Sequence, residues 1–475
     1  MKLVNLSQLI NFEEKFNLFD EYVNDIQIWP LIRYQYMQGV LDHYNDFDVP
    51  QAKSITNNIT KLISYTVQTI KFNPDKLNHP KRIDYLFFAK GTYKQIDGEF
   101  YNRITEPYAE LFPSRSLLVE ESYNFSYCMP RTFENIKFLD LYLIKTRLMV
   151  KLLGLEKKYV MVSKEFIDFI KLNSPYELPE DKWNQISKFL CSQLARQKFI
   201  VKYITRLIKR IEPKVIFIEE ACYGNRAFIV KLAKSMGIKT VELQHGFIGS
   251  THPAYNYGPK LLSNDKSHCP DYILTYGKYW EKSISVPSQV ISIGNPSLEK
   301  TVRNFNNVSL KVENVFKLLV ISSGVDYKQL SDIVIKLIKQ NEGKQEIKII
   351  FRAHPLERPV METRYKELIS LGIKMSIVDL YEDIANCTLV FGEFSTALYE
   401  AMAFDKKVVM LDNRYSRQYV STNDVLNVLE YVESAEELSE IILKTQYDNI
   451  AHKLNDVWEN DWHKNYHKFL GSILN

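Results

Sequence analysis

The segment Val390-Phe391-Gly392-Glu393-Phe394-Ser395-Thr396-Ala397-Leu398-Tyr399-Glu400-Ala401-Met402-Ala403-Phe404, continued by Lys407-Val408-Val409-Met410-Leu411, decides the fold. The apolar run up to Gly392 predicts a strand, Ser395 and Thr396 mark a polar turn, a helix carrying Glu400 follows, and the run from Lys407 predicts the next strand. A strand-turn-helix-strand unit aims the N–H groups and hydroxyls of its turn, with a helix N-terminus, at one point that suits an anion. Glu400 is placed to accept hydrogen bonds from sugar hydroxyls. Phosphate and sugar together suggest a nucleotide or nucleotide-sugar. An ordinary crossover helix capped by Ser or Thr accounts for the same residues equally well.

The same alternation extends upstream. Residues 318–321 predict a strand, and Ser322-Ser323-Gly324 after it offers either a second anion cradle or a helix cap. Residues 347–351 form another, ending in Arg352-Ala353-His354-Pro355, and residues 375–379 a third. In the first half, residues 84–89 predict a strand followed by a long polar loop, 90–103, whose acidic members Asp97 and Glu99 read equally as candidate substrate contacts and as plain turn residues around Gly98. Ligands of open α/β sheets bind at the carboxyl ends of strands, so this loop is a place for substrate contacts. Residues 215–220 predict a strand ending at Glu219-Glu220, 227–236 a helix, and 239–243 a strand that runs into Gln244-His245-Gly246. The turn Gly294-Asn295-Pro296 closes this half. Residues 1–80 read as helical without evident chemistry, and Asp46-Phe47-Asp48 within them as a solvated loop rather than a metal ligand set. The expected organisation is a helical N-terminal segment (1–80), a Rossmann-like acceptor domain (81–297), a Rossmann-like nucleotide-sugar domain (298–450) and a C-terminal helix (451–475).

Composition sets outer limits. A chain of 475 residues exceeds a single core. A formal charge of +4 is too small for its length to argue for nucleic acid. The five cysteines, Cys128, Cys191, Cys222, Cys269 and Cys387, stand singly, and His245 and His252 have no third ligand near them, so no metal site is expected. No signal peptide or spanning apolar run is visible, which points to a cytoplasmic protein. The basic, apolar stretch from Phe138 to Leu153 reads either as a core helix with snorkelling lysines or as a helix lying on the anionic cytoplasmic face of a membrane.

Gln244-His245-Gly246, Gly294-Asn295-Pro296, Arg352-Ala353-His354-Pro355 and Ser395-Thr396 with Glu400-Ala401 together resemble the GT-B glycosyltransferases, two doubly wound domains facing a cleft. More narrowly they resemble bacterial capsule and lipopolysaccharide enzymes, among them sialyl- and Kdo-transferases and the glycerophosphotransferases of teichoic acid synthesis. The resemblance, over residues 84–415, implies an inverting, metal-independent transfer from a nucleotide-sugar, CMP-linked by preference, to an oligo- or polysaccharide acceptor that can be lipid-linked. It implies no cofactor. It assigns His354, Ser395 and Thr396 to the donor phosphate and Glu400 to the ribose, with Arg352, Ser322, Ser323 and Gly324 beside them. The paired acidic motif that supplies the base in sialyltransferases is here the single acid of Ile96-Asp97-Gly98. Asp97, His245 and Glu220 are therefore all candidates for the base. Glycerol phosphate transfer from CDP-glycerol, non-hydrolysing UDP-sugar 2-epimerisation and a non-catalytic binding module on the same fold are the alternatives.

Overall fold

The computed structural model describes residues 4–45, 59–76, 83–91, 93–122, 125–263, 268–306, 315–341, 347–420, 429–447 and 456–474. Asp46-Phe47-Asp48 lies outside them. The first half contributes β1 (Tyr85–Phe88), a hairpin of β2 (Tyr93–Ile96) and β3 (Glu99–Asn102), then β4 (Ser116–Glu120), β5 (Ile136–Phe138), β6 (Val215–Ile218), β7 (Lys239–Leu243), β8 (Tyr272–Thr275) and β9 (Gln289–Ser292). A 7-stranded sheet takes the order β9-β8-β7-β6-β1-β4-β5 with every pairing parallel. The chain thus winds outward from β1 in one direction and from β6 in the other. The carboxyl ends of β1 and β6 meet at the point of reversal, where doubly wound sheets hold their ligands.

The second half repeats the scheme with β10 (Phe316–Ile321), β11 (Ile347–Arg352), β12 (Lys374–Met375), β13 (Leu389–Gly392), β14 (Lys407–Leu411) and β15 (Glu430–Val432). Its 6-stranded sheet runs β12-β11-β10-β13-β14-β15, again all parallel. The reversal falls between β10 and β13, so Ser322-Ser323-Gly324 and Glu393-Phe394-Ser395-Thr396 leave adjacent strands side by side. Gly392 is required there: a Cβ on it would lie 2.4 Å from the Ile321 carbonyl oxygen. The α/β pair of doubly wound sheets is the expected GT-B architecture.

The strands read as continuous apolar runs because both sheet faces are covered. Phe87 and Phe217 stack at 4.4 Å under Tyr466, Phe469 and Leu470 of the last helix, Trp462–Leu474, which returns to the first sheet. Between the halves, Trp280, Tyr399 and Trp458 pack in one cluster, and the Trp458 indole N–H donates to the Tyr399 carbonyl at 2.7 Å.

Several local expectations change. The polar loop 90–103 is largely the β2–β3 hairpin: Asp97 and Gly98 have φ of +50° and +83°, the left-handed pair that an Asp-Gly hairpin turn adopts. Phe138 ends a strand, and the basic helix begins at Asp140. The strand expected over 375–379 is only Lys374–Met375, since Asp379 caps the helix Leu380–Asn386 by accepting from the Tyr381 N–H at 2.9 Å. Strands β4, β5 and β15 were not anticipated. The N-terminal helices α1 (Leu6–Lys15) and α2 (Trp29–Asn45) form a core with helices of the first half, in which Trp29, Tyr36, Trp183 and Leu190 are buried.

Candidate functional site

A cavity of about 580 Å³ opens between the two halves. Ser323, His354, Phe394, Ser395 and Thr396 line its second-half wall, and Phe247, Thr251 and His252 face them from the loop after β7. The third wall is α2, through Tyr34, Gln38 and Asp42. The N-terminal segment, read as free of chemistry, is therefore part of the site.

On the second-half wall, the Ser395 hydroxyl accepts from the Ala397 N–H at 3.3 Å as the cap of Thr396–Met402, while its own proton stays available as a donor. His354 caps the turn after β11: its Nδ1 accepts from the Leu356 N–H at 3.3 Å. In the neutral ring the proton then resides on Nε2, which makes that nitrogen a hydrogen-bond donor. Burial lowers the His354 pKa, with Glu357 opposing, so the ring is neutral near pH 7.

The anion cradle expected at Ser322-Ser323-Gly324 is filled from within. Glu393, which sequence reading passed over, points its carboxylate into this loop and accepts from the Ser323 N–H and hydroxyl, each at 2.6 Å, and from the Asp326 N–H. Ser322 is buried and donates to Glu357 at 2.9 Å, and Gly324 donates its N–H to Ser322. A phosphate at this loop would meet a resident carboxylate. Arg352 is likewise committed, donating to the Val378 carbonyl and to Asp383, both at 2.8 Å.

Glu400 is buried and does not line the cavity. Burial raises its pKa, while Arg103 of the first half and the Tyr381 hydroxyl stabilise its charge. Arg103 thus joins the halves electrostatically, and Lys94 of the hairpin adds an ion pair to Asp379 at 3.3 Å. Asp97, three residues beyond Lys94, is exposed at the hairpin turn and also stands off the cavity lining.

The strand reversal of the first sheet reaches the first-half wall through Tyr223, whose hydroxyl meets His252. Buried Arg226 donates to the carbonyls of Phe88 and Ala89 after β1 and of Glu219 after β6, clamping the two ends together. The Lys90 N–H donates to Glu219 at 2.6 Å, and its ammonium pairs with Glu220. Glu220 has φ +57°, an uncommon conformation for a non-glycine residue, and it turns the chain into a short 3-10 segment, Ala221–Tyr223. Buried Glu242 holds that segment by accepting from the Cys222 N–H at 2.9 Å.

Tyr223, also missed in sequence reading, is the centre of what results. Its hydroxyl lies 3.1 Å from His245 Nε2 and 3.3 Å from His252 Nε2, and its ring stacks on Tyr34 at 4.1 Å. His252 Nδ1 accepts from the Ala254 N–H at 3.2 Å, so its proton sits on Nε2 and points at Tyr223. Tyr223 can send its own proton to His245, leaving His245 with a free Nδ1–H donor, or towards Tyr34, leaving Nδ1 as a base. His245 Nδ1 is buried with no protein partner among the described residues. Burial lowers the pKa of both rings, that of His252 to about 3. The only signal in the sequence was Tyr223 sitting just past a strand end.

All five cysteines are buried free thiols. Among the described residues there is no cluster suited to a metal ion, and no helix is long and apolar enough to cross a membrane.

No family model and no curated protein matches this chain. Solved structures resemble it. A UDP-GlcNAc 2-epimerase from Methanocaldococcus jannaschii aligns at 12% identity over 82% of this chain and 99% of that one, with a TM-score of 0.43. A UDP-GlcNAc 2-epimerase from Neisseria meningitidis bound to UDP-GlcNAc aligns at 10% over 67% and 97%, TM-score 0.42. A glycosyltransferase from Rickettsia africae aligns at 11% over 83% and 100%, TM-score 0.43.

Proposed function

We propose that this protein is an enzyme acting on a nucleotide-linked sugar in the cleft between its two sheets, without a metal. The observation that carries the reading is the cavity of about 580 Å³, in which neutral donors of the second half face His252 of the first, itself joined through the Tyr223 hydroxyl to His245. The Ser395 and Thr396 hydroxyls and His354 Nε2–H are set to bind the diphosphate or monophosphate, and they stabilise the charge that gathers there as the glycosidic bond breaks. His245 lies off the cavity lining, as Glu220 and Asp97 do, but Tyr223 joins it to His252 on that lining, and it is the preferred acid or base in this reading. Transfer of the sugar to a saccharide acceptor is the first form of the reaction.

Epimerisation of the sugar without an acceptor is the second form. One observation favours it: Asp97, one of the three candidates to serve an acceptor hydroxyl, stands exposed on a hairpin turn.

The deciding experiment incubates the protein with UDP-, CMP- and CDP-linked sugars, with and without oligosaccharide acceptors, and follows products by NMR. A new sugar diastereomer formed without acceptor establishes epimerisation, and acceptor-dependent nucleotide release establishes transfer. Absence of both binding and turnover across the panel refutes the proposal.

A further inference from the structure

The helix α3 (Asp140–Leu152) is apolar on two faces. One face packs inward through Tyr142, Thr146 and Val150, all buried. The opposite face carries Ile144, Leu148 and Leu152 at a spacing of four, which places them in one stripe along the helix. Their exposures are 40%, 53% and 69%, and Leu153 in the following turn is 56% exposed. The next helix, α4 (Leu155–Asn173), adds exposed Val160 and Met161 close to the same turn.

Isolated exposed leucines need no explanation, but a stripe that grows more exposed towards its tip does. Charge identifies what covers it. From Leu141 to Leu155 the chain carries Lys145, Arg147 and Lys151 and no acidic residue, and Lys157 and Lys158 follow Glu156. Lys145 faces Asp75 at 3.9 Å, which leaves Arg147 and Lys151 as the cations of the stripe itself. A second copy of the chain docked face to face would set these cations against each other. An anionic lipid surface accepts the leucines among its acyl chains and the cations at its headgroups.

We propose that the outer face of α3, with the turn Leu153-Gly154, is a docking surface for a bilayer containing anionic phospholipid. This face is separate from the cleft residues, so the proposal stands or falls apart from the enzymatic reading.

The test is co-sedimentation of the full chain with vesicles of phosphatidylcholine alone and with vesicles in which a third of the lipid is phosphatidylglycerol. Binding is expected only to the second, and to weaken steeply with added salt. The variant L148E/L152E should reduce the bound fraction about tenfold or more, and R147E/K151E should do the same by removing the headgroup attraction. Unchanged circular dichroism and thermal midpoint show that these surface changes leave the fold intact. If L148E/L152E does not fold, L148S/L152S replaces it. No association of the native chain with anionic vesicles, or association that these variants leave unchanged, overturns the proposal. So does sedimentation velocity showing a dimer that L148E/L152E dissociates while vesicle binding is absent.

Discussion

The Tyr223 hydroxyl stands 3.1 Å from Nε2 of His245 and 3.3 Å from Nε2 of His252, and the second contact joins the strand reversal of the first sheet to the wall of the cleft. Removing the hydroxyl alone tests its role. Tyr223→Phe keeps the ring on Tyr34, so stability should fall by only about 1 kcal/mol. Turnover should fall about 10- to 100-fold, because His245 loses the group that sets its tautomer. Steady-state kinetics beside thermal unfolding separate the two effects.

His252 predicts acid sensitivity. Its folded pKa is lowered from 6.5 to about 3, chiefly by burial, with His245 and Arg33 also disfavouring the charge. The unfolded chain therefore takes up a proton that the folded chain refuses. Stability is fully present above pH 6.5 and is lost as pH falls from there towards 3, by at most about 1.4 kcal/mol per pH unit. His245, lowered in the same direction, adds to the slope. Asparagine can still accept from the Ala254 N–H, so His252→Asn should flatten the decline in denaturant midpoint between pH 6 and 4, roughly the window in which the imidazole alone would titrate.

Gly224 follows Tyr223 and has φ +88°, and a Cβ there would lie 1.7 Å from the Pro30 carbonyl oxygen. Close approach of α2 to the Tyr223 turn depends on this glycine. Gly224→Ala should destabilise the protein by about 3 kcal/mol, from overpacking and from backbone strain. Thermal unfolding measures the loss, and nucleotide affinity should fall with it as α2 is displaced from the cavity.

Glu393 gives a prediction of opposite character, since its replacement removes an acceptor from its donors rather than adding an atom to a crowded place. Glu393→Ala leaves the Ser323 N–H, the Ser323 hydroxyl and the Asp326 N–H without their acceptor. A cost of about 2 to 4 kcal/mol is expected in urea unfolding. If inorganic phosphate restores much of that loss to the variant and none to the native protein, the loop is an anion cradle that the native chain fills with its own carboxylate.

The ion pair between Lys94 and Asp379 crosses the cleft between side chains that are both well exposed. A double-mutant cycle with Lys94→Ala and Asp379→Ala should give a coupling below about 1 kcal/mol that disappears at high salt. The halves are joined instead by the buried packing of Trp280, Tyr399 and Trp458.

How far the site was legible depends on the distance between partners along the chain. Ser395 caps its helix by accepting from Ala397 two residues on, and Thr396 is the first residue of that helix, so the turn showed in the sequence. His354 caps with Leu356 and was equally visible. Glu393 lies 70 residues from Ser323, and its carboxylate was read as nothing more than a residue of the turn. The Asp-Gly signal at Asp97 was present in the sequence, but flanking strands with little apolar alternation made the hairpin read as a loop.

By itself the sequence determined two α/β halves, the strands that carry them and the polar turns at their carboxyl ends, because apolar periodicity and turn chemistry act over a few residues. The tertiary structure alone decided which turns are neighbours. Strand order sets Ser323 against Glu393, brings α2 over the cavity and gathers Tyr34, Tyr223, His245 and His252 into one hydrogen-bonded group. Parallel strands are paired through long crossovers, and no local property of a strand states which other strand it will lie beside.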